Sequence, residues 1–439
     1  MSAAPEDSGA GLSISPCPAG GPASASFLSR ADQPGEATAQ VEGTPGEGDG
    51  LGAFLVAGGH CVVDFYNELL PPLMPFLVAS LGLSMTMAGG LVSAVAVSAS
   101  LLQPLFGWLV DRTGWQWLLP LSAAWIAVLM STVGLVKDYR LLILLVGLAG
   151  LGSALYHPLG SVRITSLAPR HRGLAMSAYS ALGNFGEAVV PLVAVPLVLS
   201  RGLKATWLLA LPGVTFALVM WLLRGRGGRA GAPLGAGPNG AQAFAFHPAE
   251  LRGRWRQVLL LDASLILRSW VHVSLLTFVP LYLVESGQTP LVASRLLFLF
   301  MAAGAAAIFV AGHLSDLYGY RPVMIGGLLG TVAAFLGFLV APSPALAVVF
   351  LVAAGALILA PLPVAIVAGQ RLIPHRAGMA SGMMMGFAWG LGGLGATLTG
   401  RLADLWGISA ALRTVIWLLV PAALFVLTLP GEEGRGCRA

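Results

Sequence analysis

Residues 107–114 read Gly107-Trp108-Leu109-Val110-Asp111-Arg112-Thr113-Gly114, and residues 312–319 read Gly312-His313-Leu314-Ser315-Asp316-Leu317-Tyr318-Gly319, 205 positions later. A second pair repeats at an offset of 204: His171-Arg172-Gly173-Leu174-Ala175-Met176-Ser177 and His375-Arg376-Ala377-Gly378-Met379-Ala380-Ser381. Two different motifs recurring at nearly one offset point to a duplicated chain. Each motif borders a long apolar run, so the duplicated unit is a set of apolar segments.

Composition says what those segments face. Of 439 residues, 56% are hydrophobic and only 10% charged, with a mean hydropathy of +0.83. A soluble domain carries roughly 25% charged residues. So few charges cannot cover a water-facing surface of this size, and lipid must be the solvent for most of the chain. In lipid the backbone must pair with itself, as helices or a closed barrel. Barrel strands are short and alternating. The runs here are long and unbroken, which selects helices.

A spanning helix needs roughly 20 apolar residues. Twelve stretches qualify: 53–81, 86–110, 116–136, 141–166, 173–199, 205–223, 257–284, 291–315, 322–341, 346–370, 377–400 and 409–430. The expected fold is therefore all-α and membrane-embedded, with twelve transmembrane helices in two pseudo-symmetric six-helix halves. The halves fall at 51–223 and 256–430. The segment 224–255 is basic and rich in Gly and Pro, and reads as a linker. Residues 1–50 carry seven acids (Glu6, Asp7, Asp32, Glu36, Glu42, Glu47 and Asp49) against Arg30 alone, and read as a disordered tail. Residues 431–439 form a second tail.

Orientation follows from Lys and Arg. With the tails, the linker and the even-numbered loops on one side, that side holds fifteen basic residues and the other seven, Arg30 and Arg268 aside. Both termini are expected in the cytoplasm. The net charge of +5 is spread between apolar runs rather than over one soluble face, which argues against nucleic acid. Cys17, Cys61 and Cys437 make neither a metal spacing nor a disulfide framework, and no cofactor motif is present. No nucleophile–base pair points to an enzyme. Duplicated helical halves belong to secondary transporters, whose substrate site lies where the repeats meet.

The loop Gly107–Gly114 resembles the signature loop of the major facilitator superfamily, and Gly312–Gly319 resembles its second copy with Leu317 in place of Arg. A finer resemblance runs from Gly59 to about Asp404. Gly59-His60 with Asp64, Gln103–Gly107, His157-Pro158, Gly183–Gly186, Gly378–Gly382 and Gly392–Gly395 look like the fosmidomycin-resistance family. That resemblance implies a monomeric bacterial inner-membrane protein that exports a small compound in exchange for protons. It also implies a gate at Gly107, Asp111, Arg112, Gly114, Asp316 and Gly319, for whose charged residues simple topology anchoring is the alternative, and a central cavity lined by the first, fourth, seventh and tenth helices. On the fifth helix Gly183 to Pro191 compares loosely with the antiporter motif.

Deep ionisable residues mark function in a membrane, and here they gather on the first, fourth, fifth and seventh spans. His60, Asp64 and Glu68 share one helix face at i, i+4, i+8. Asp64 falls ~16 Å into the first span, near the midplane. With Glu187 on the fifth span these are the proton-coupling candidates; a fixed buried hydrogen-bond network is the alternative. Arg268, ~17 Å into the seventh span, suits a phosphonate or similar anion through its planar fork. A permanent ion pair with Asp64 or Glu187 is the competing reading. Asn67, His157, Arg163 and His272 complete the substrate candidates. Export of an anionic or amphiphilic compound is the leading expectation; proton-coupled uptake of an organic anion and a non-transporting membrane sensor are the others.

Overall fold

The computed structural model describes residues 47–113, 117–168, 171–224, 254–372 and 377–429. No strand occurs among them. In chain order the helices are α1 (Glu47–Asn67), α2 (Leu70–Leu81), α3 (Met85–Leu101), α4 (Gln103–Thr113), α5 (Leu118–Ser131), α6 (Tyr139–Leu167), α7 (Arg172–Arg201) and α8 (Ala210–Leu223). Then come α9 (Trp255–Glu285), α10 (Pro290–Tyr318), α11 (Tyr320–Val340), α12 (Pro344–Leu359), α13 (Pro361–Leu372), α14 (Ala377–Trp406), α15 (Ile408–Val415) and α16 (Leu419–Leu427). Among the described residues ten helical stretches are long and apolar enough to cross a membrane, and each coincides with an expected span. The two other expected spans, 53–81 and 377–400, fall on α1–α2 and α14.

Proline explains why some spans are built from two helices. Pro71 and Pro72 have no N–H to give the carbonyls of Asn67 and Glu68, so the first span breaks between Asn67 and Leu70. Pro104 and Pro361 divide α3 from α4 and α12 from α13 in the same way. The long outer faces stay apolar: Phe54, Leu144, Leu222, Phe309 and Val340 are all exposed, as lipid contact requires. Residues 1–46, 225–253 and 430–439 lie outside the described residues, and with them almost all of both expected tails and the linker.

The main contacts that join the first group of helices to the second are α3 on α14, α7 on α10, and α2 on α9, with smaller ones of α3 on α9, α2 on α10 and α4 on α14. The first is a seam of small residues. A Cβ on Gly89 would strike the Ala396 carbonyl, and one on Gly393 would strike Ala96. Ser93 Oγ donates to the Gly393 carbonyl at 2.7 Å and lies 2.8 Å from Thr397 Oγ1. Close backbone approach and cross-helix hydroxyl bonds are how helices associate when lipid is the solvent.

Candidate functional site

Three helices build a cluster around His60, Asp64 and His157. α1 supplies His60 and Asp64 one turn apart, and α6 supplies His157. His60 Nε2 lies 3.1 Å from Asp64 Oδ2, His157 Nε2 lies 3.4 Å from Asp64 Oδ1, and the two rings meet at 3.1 Å between His60 Nε2 and His157 Nδ1. α7 closes the group: a Cβ on Gly183 would come 2.5 Å from His60 Cε1 and closer still to Asp64 Oδ2. Only glycine lets α7 approach α1 this far. His60 and Asp64 are buried, while His157 keeps a side-chain exposure of 26%.

The hydrogen-bond pattern fixes where protons can sit. His60 Nδ1 contacts the Tyr179 carbonyl at 2.8 Å, and a carbonyl only accepts, so Nδ1 carries the hydrogen. In a neutral His60 the Nε2 is then a bare lone pair. It faces Asp64 Oδ2, which when ionised is also only an acceptor. A neutral His157 can donate from Nδ1 to that lone pair or from Nε2 to Asp64 Oδ1 but not both, so the 3.1 Å contact of His60 with Asp64 still sets two acceptors together and the cluster is short by one proton unless His60 or Asp64 holds it. One added proton between them turns the repulsion into a charge-assisted hydrogen bond. The three side chains could also offer ligand atoms to a cation, since all lie within 4.8 Å of one another.

Glu68 and Glu187 are half-buried, Glu68 four residues beyond Asp64 and Glu187 four residues beyond Gly183 on α7. Glu68 falls in the break after α1. Asn67, the last residue of α1, has a buried Oδ1 with no partner. Arg163 is half-buried on α6, six residues beyond His157.

Arg268 stands apart from all of them. It is fully buried on α9. Its Nη1 donates to the Ile358 carbonyl at 3.2 Å and its Nη2 to Ser269 Oγ at 2.7 Å. Among the described residues no carboxylate lies within 4.0 Å of it, and its Nε has no acceptor. The ion pair weighed from the sequence, with Asp64 or Glu187, is therefore not made in this structure. The guanidinium instead lies 5.5 Å from the centre of the Trp389 ring. His272, one turn further along α9, stacks on Phe300 at 6.1 Å and meets Trp389 edge-on at 5.5 Å, leaving its Nδ1 without a partner. A buried guanidinium with one N–H unpaired, beside aromatic rings, forms a place short of an acceptor.

Among the gate candidates, Asp316 is exposed on α10, and Gly319 ends that helix with φ +83°. Gly107, Asp111 and Arg112 lie on α4; the side chains of Asp111 and Arg112, and all of Gly114, fall outside the described residues. Sequence reading missed Tyr156, Tyr179 and Trp389. Tyr179 stacks on His60 at 3.8 Å, and Tyr156 lies parallel to it at 6.4 Å. Nothing but tertiary contact singles these rings out among so many apolar residues.

The model of the family described as "Major Facilitator Superfamily" matches residues 56–298 and 264–435. The chain is 29% identical over 361 residues to the fosmidomycin resistance protein of Escherichia coli (strain K12), covering 81% of this chain and 86% of that one. It is 27% identical over 380 residues to the MFS-type transporter YfnC of Bacillus subtilis (strain 168), covering 85% and 91%. A bacterial homologue of the human lysosomal transporter Spinster, solved inward-facing and unoccupied, superposes with a TM-score of 0.75 at 18% identity, covering 88% of this chain and 97% of that one. The nucleoside transporter NupG superposes with a TM-score of 0.66 at 15% identity, covering 88% and 100%.

Proposed function

Because this chain belongs to the Major Facilitator Superfamily, and is a membrane transport protein rather than an enzyme, we propose that it is a proton-coupled exporter of a small anionic or amphiphilic compound. The observation that carries the substrate charge is Arg268: a fully buried guanidinium with no carboxylate within reach and an Nε that lacks an acceptor. A phosphonate or carboxylate seated there completes the fork, with Trp389 and His272 against its body.

The proton side rests on His60, Asp64 and His157, with Glu68 and Glu187 as the acids through which protons enter or leave. Loading one proton joins His60 to Asp64, and releasing it sets two acceptors against each other. α1 carries that change, and its continuation α2 packs on α9, which carries Arg268. Proton occupancy and anion affinity are thereby linked through one helix pair, reciprocally as any such coupling must be. The protein works by alternating access, with both termini and the 224–255 linker in the cytoplasm of a bacterial inner membrane.

The test is accumulation of a phosphonate such as fosmidomycin in cells making the protein, with and without an uncoupler. Export predicts low accumulation that rises when the uncoupler is added. High accumulation abolished by the uncoupler would mean uptake, and no flux in either direction would make the protein a sensor.

A further inference from the structure

α3 begins beside the end of α14, and one residue of α14 finishes it. The Asp404 carboxylate accepts hydrogen bonds from the backbone N–H of Met85 at 2.7 Å, from the N–H of Thr86 at 2.9 Å and from the Thr86 hydroxyl. The first N–H groups of a helix have no partner within it, and an acid placed on them is favoured both as hydrogen-bond acceptor and by the helix dipole. α3 has its own cap as well, since Ser84 accepts from Met87 N–H at 3.2 Å. Asp404 is therefore a second cap, supplied from 319 positions away.

A separate observation says what this cap holds. The glycine seam between α3 and α14 runs from Gly400 beside Met85 to Gly390 beside Leu101, the whole length of α3. Beyond Leu101 the chain continues as α4, which touches α14 only slightly. α3 and α14 are thus joined from the end that carries Asp404 as far as Leu101, and contact with α14 thins only past α3, along α4. An alternating-access transporter must open whichever end is closed.

We infer that Asp404 is a latch of the transport cycle: its carboxylate, bound to the N-terminus of α3, holds this end of the molecule shut and must let go for the opposite-facing state to form. The inference rests on the alternating-access reading and not on the proton or anion assignments. Asp404 lies past the expected span 377–400. Burial opposes its charge, but the hydrogen bonds from Thr86 and Met85 outweigh that and hold the carboxyl below the usual carboxylate range. The latch is thus charged throughout the physiological range and is opened by movement of the helices rather than by protonation of its own carboxyl.

The experiment measures a distance in the full-length protein without substrate or gradient, so its outcome is independent of what is transported. Cys17, Cys61 and Cys437 are replaced, and spin labels are placed at Ser80 and Leu405, which are exposed on either side of the latch. With Asp404 present the distribution should be dominated by the shorter distance. Asp404→Ala should raise the long-distance population roughly 2- to 30-fold, the range expected for loss of a capping residue. Thr86→Val removes one of the donors and should move it the same way by less. Asp138→Ala removes an ordinary cap within α6, from Leu141 N–H, and should leave the distribution unchanged. An unchanged distribution in folded Asp404→Ala would overturn the latch. Should that variant not fold, an unchanged Thr86→Val would do the same.

Discussion

The imidazole of His60 lies flat on the ring of Tyr179, with centroids 3.8 Å apart and planes 3° from parallel, while its Nδ1 donates to the carbonyl of the same residue at 2.8 Å. One residue thus fixes the orientation and the tautomer of the other. The ring cannot turn without losing both contacts, so Nε2 stays aimed at Asp64 in every protonation state. A helix that must respond to a single proton needs this rigidity, because a free imidazole would relieve the repulsion by rotating away.

Asp64→Asn tests that account. The amide N–H₂ introduced by the substitution can donate to His60 Nε2 permanently, so the variant imitates the proton-loaded state without a proton. It should fold, exchange substrate across the membrane down its gradient, and lose pH-driven accumulation altogether. Flux in liposomes with and without a pH gradient is the measurement. Normal uphill transport would make Asp64 structural and move the proton site to Glu68 or Glu187.

Arg268 gives a binding prediction. Arg268→Ala should weaken an organic phosphonate by about 1.5–3 kcal/mol, the worth of a charge-assisted hydrogen bond, and leave a neutral ligand untouched. Arg268→Lys should fall between, since a point charge cannot reproduce the fork. Titration calorimetry reads both. Equal affinity of wild type and Arg268→Ala for every anion tried would remove the anion site.

Gly183→Ala adds one methyl group where α7 meets His60 and Asp64. The neighbours must shift, at a cost of about 1–3 kcal/mol for overpacking. Both the thermal midpoint and the proton-driven flux should drop, because the methyl group separates the pair that shares the proton. A variant with unaltered midpoint and flux would show that α7 has room to withdraw.

A cysteine placed at Gly237, in the expected linker, should resist an impermeant thiol reagent added outside intact cells and react once the cells are opened. Strong labelling from outside would reverse the orientation read from the Arg distribution.

The architecture was legible because it is written in local patterns. Among the described residues, ten apolar runs became membrane-length helices close to where they were expected. The deep residues His60, Asp64 and Arg268 were legible as costly groups in lipid. Their partners were not. His157 reaches His60 from 97 positions away, and a His before Pro in a helix is more often a kink with a satisfied ring than a ligand. Arg268 suggested an ion pair because a lone buried cation demands one, whereas the structure gives it a carbonyl, a hydroxyl and an indole face. Asp404 carried no signal: an acid just past the end of a span is ordinary until α3 is seen to start beside it.

The seam between α3 and α14 also sets an order of events during synthesis. At about 5–20 residues per second, the 319 positions between Met85 and Asp404 correspond to a wait of roughly 15–60 s on the ribosome. Throughout it α3 is already in the bilayer with Gly89, Ser93 and Ala96 turned toward a helix that does not yet exist. Ser93 can give its hydroxyl to the carbonyl one turn back in the meantime, and the glycine and alanine expose nothing that lipid would reject. A face of small residues with one self-satisfying hydroxyl can stand open to the membrane while the chain is being made, which a face bearing the charges of α1 or α9 could not.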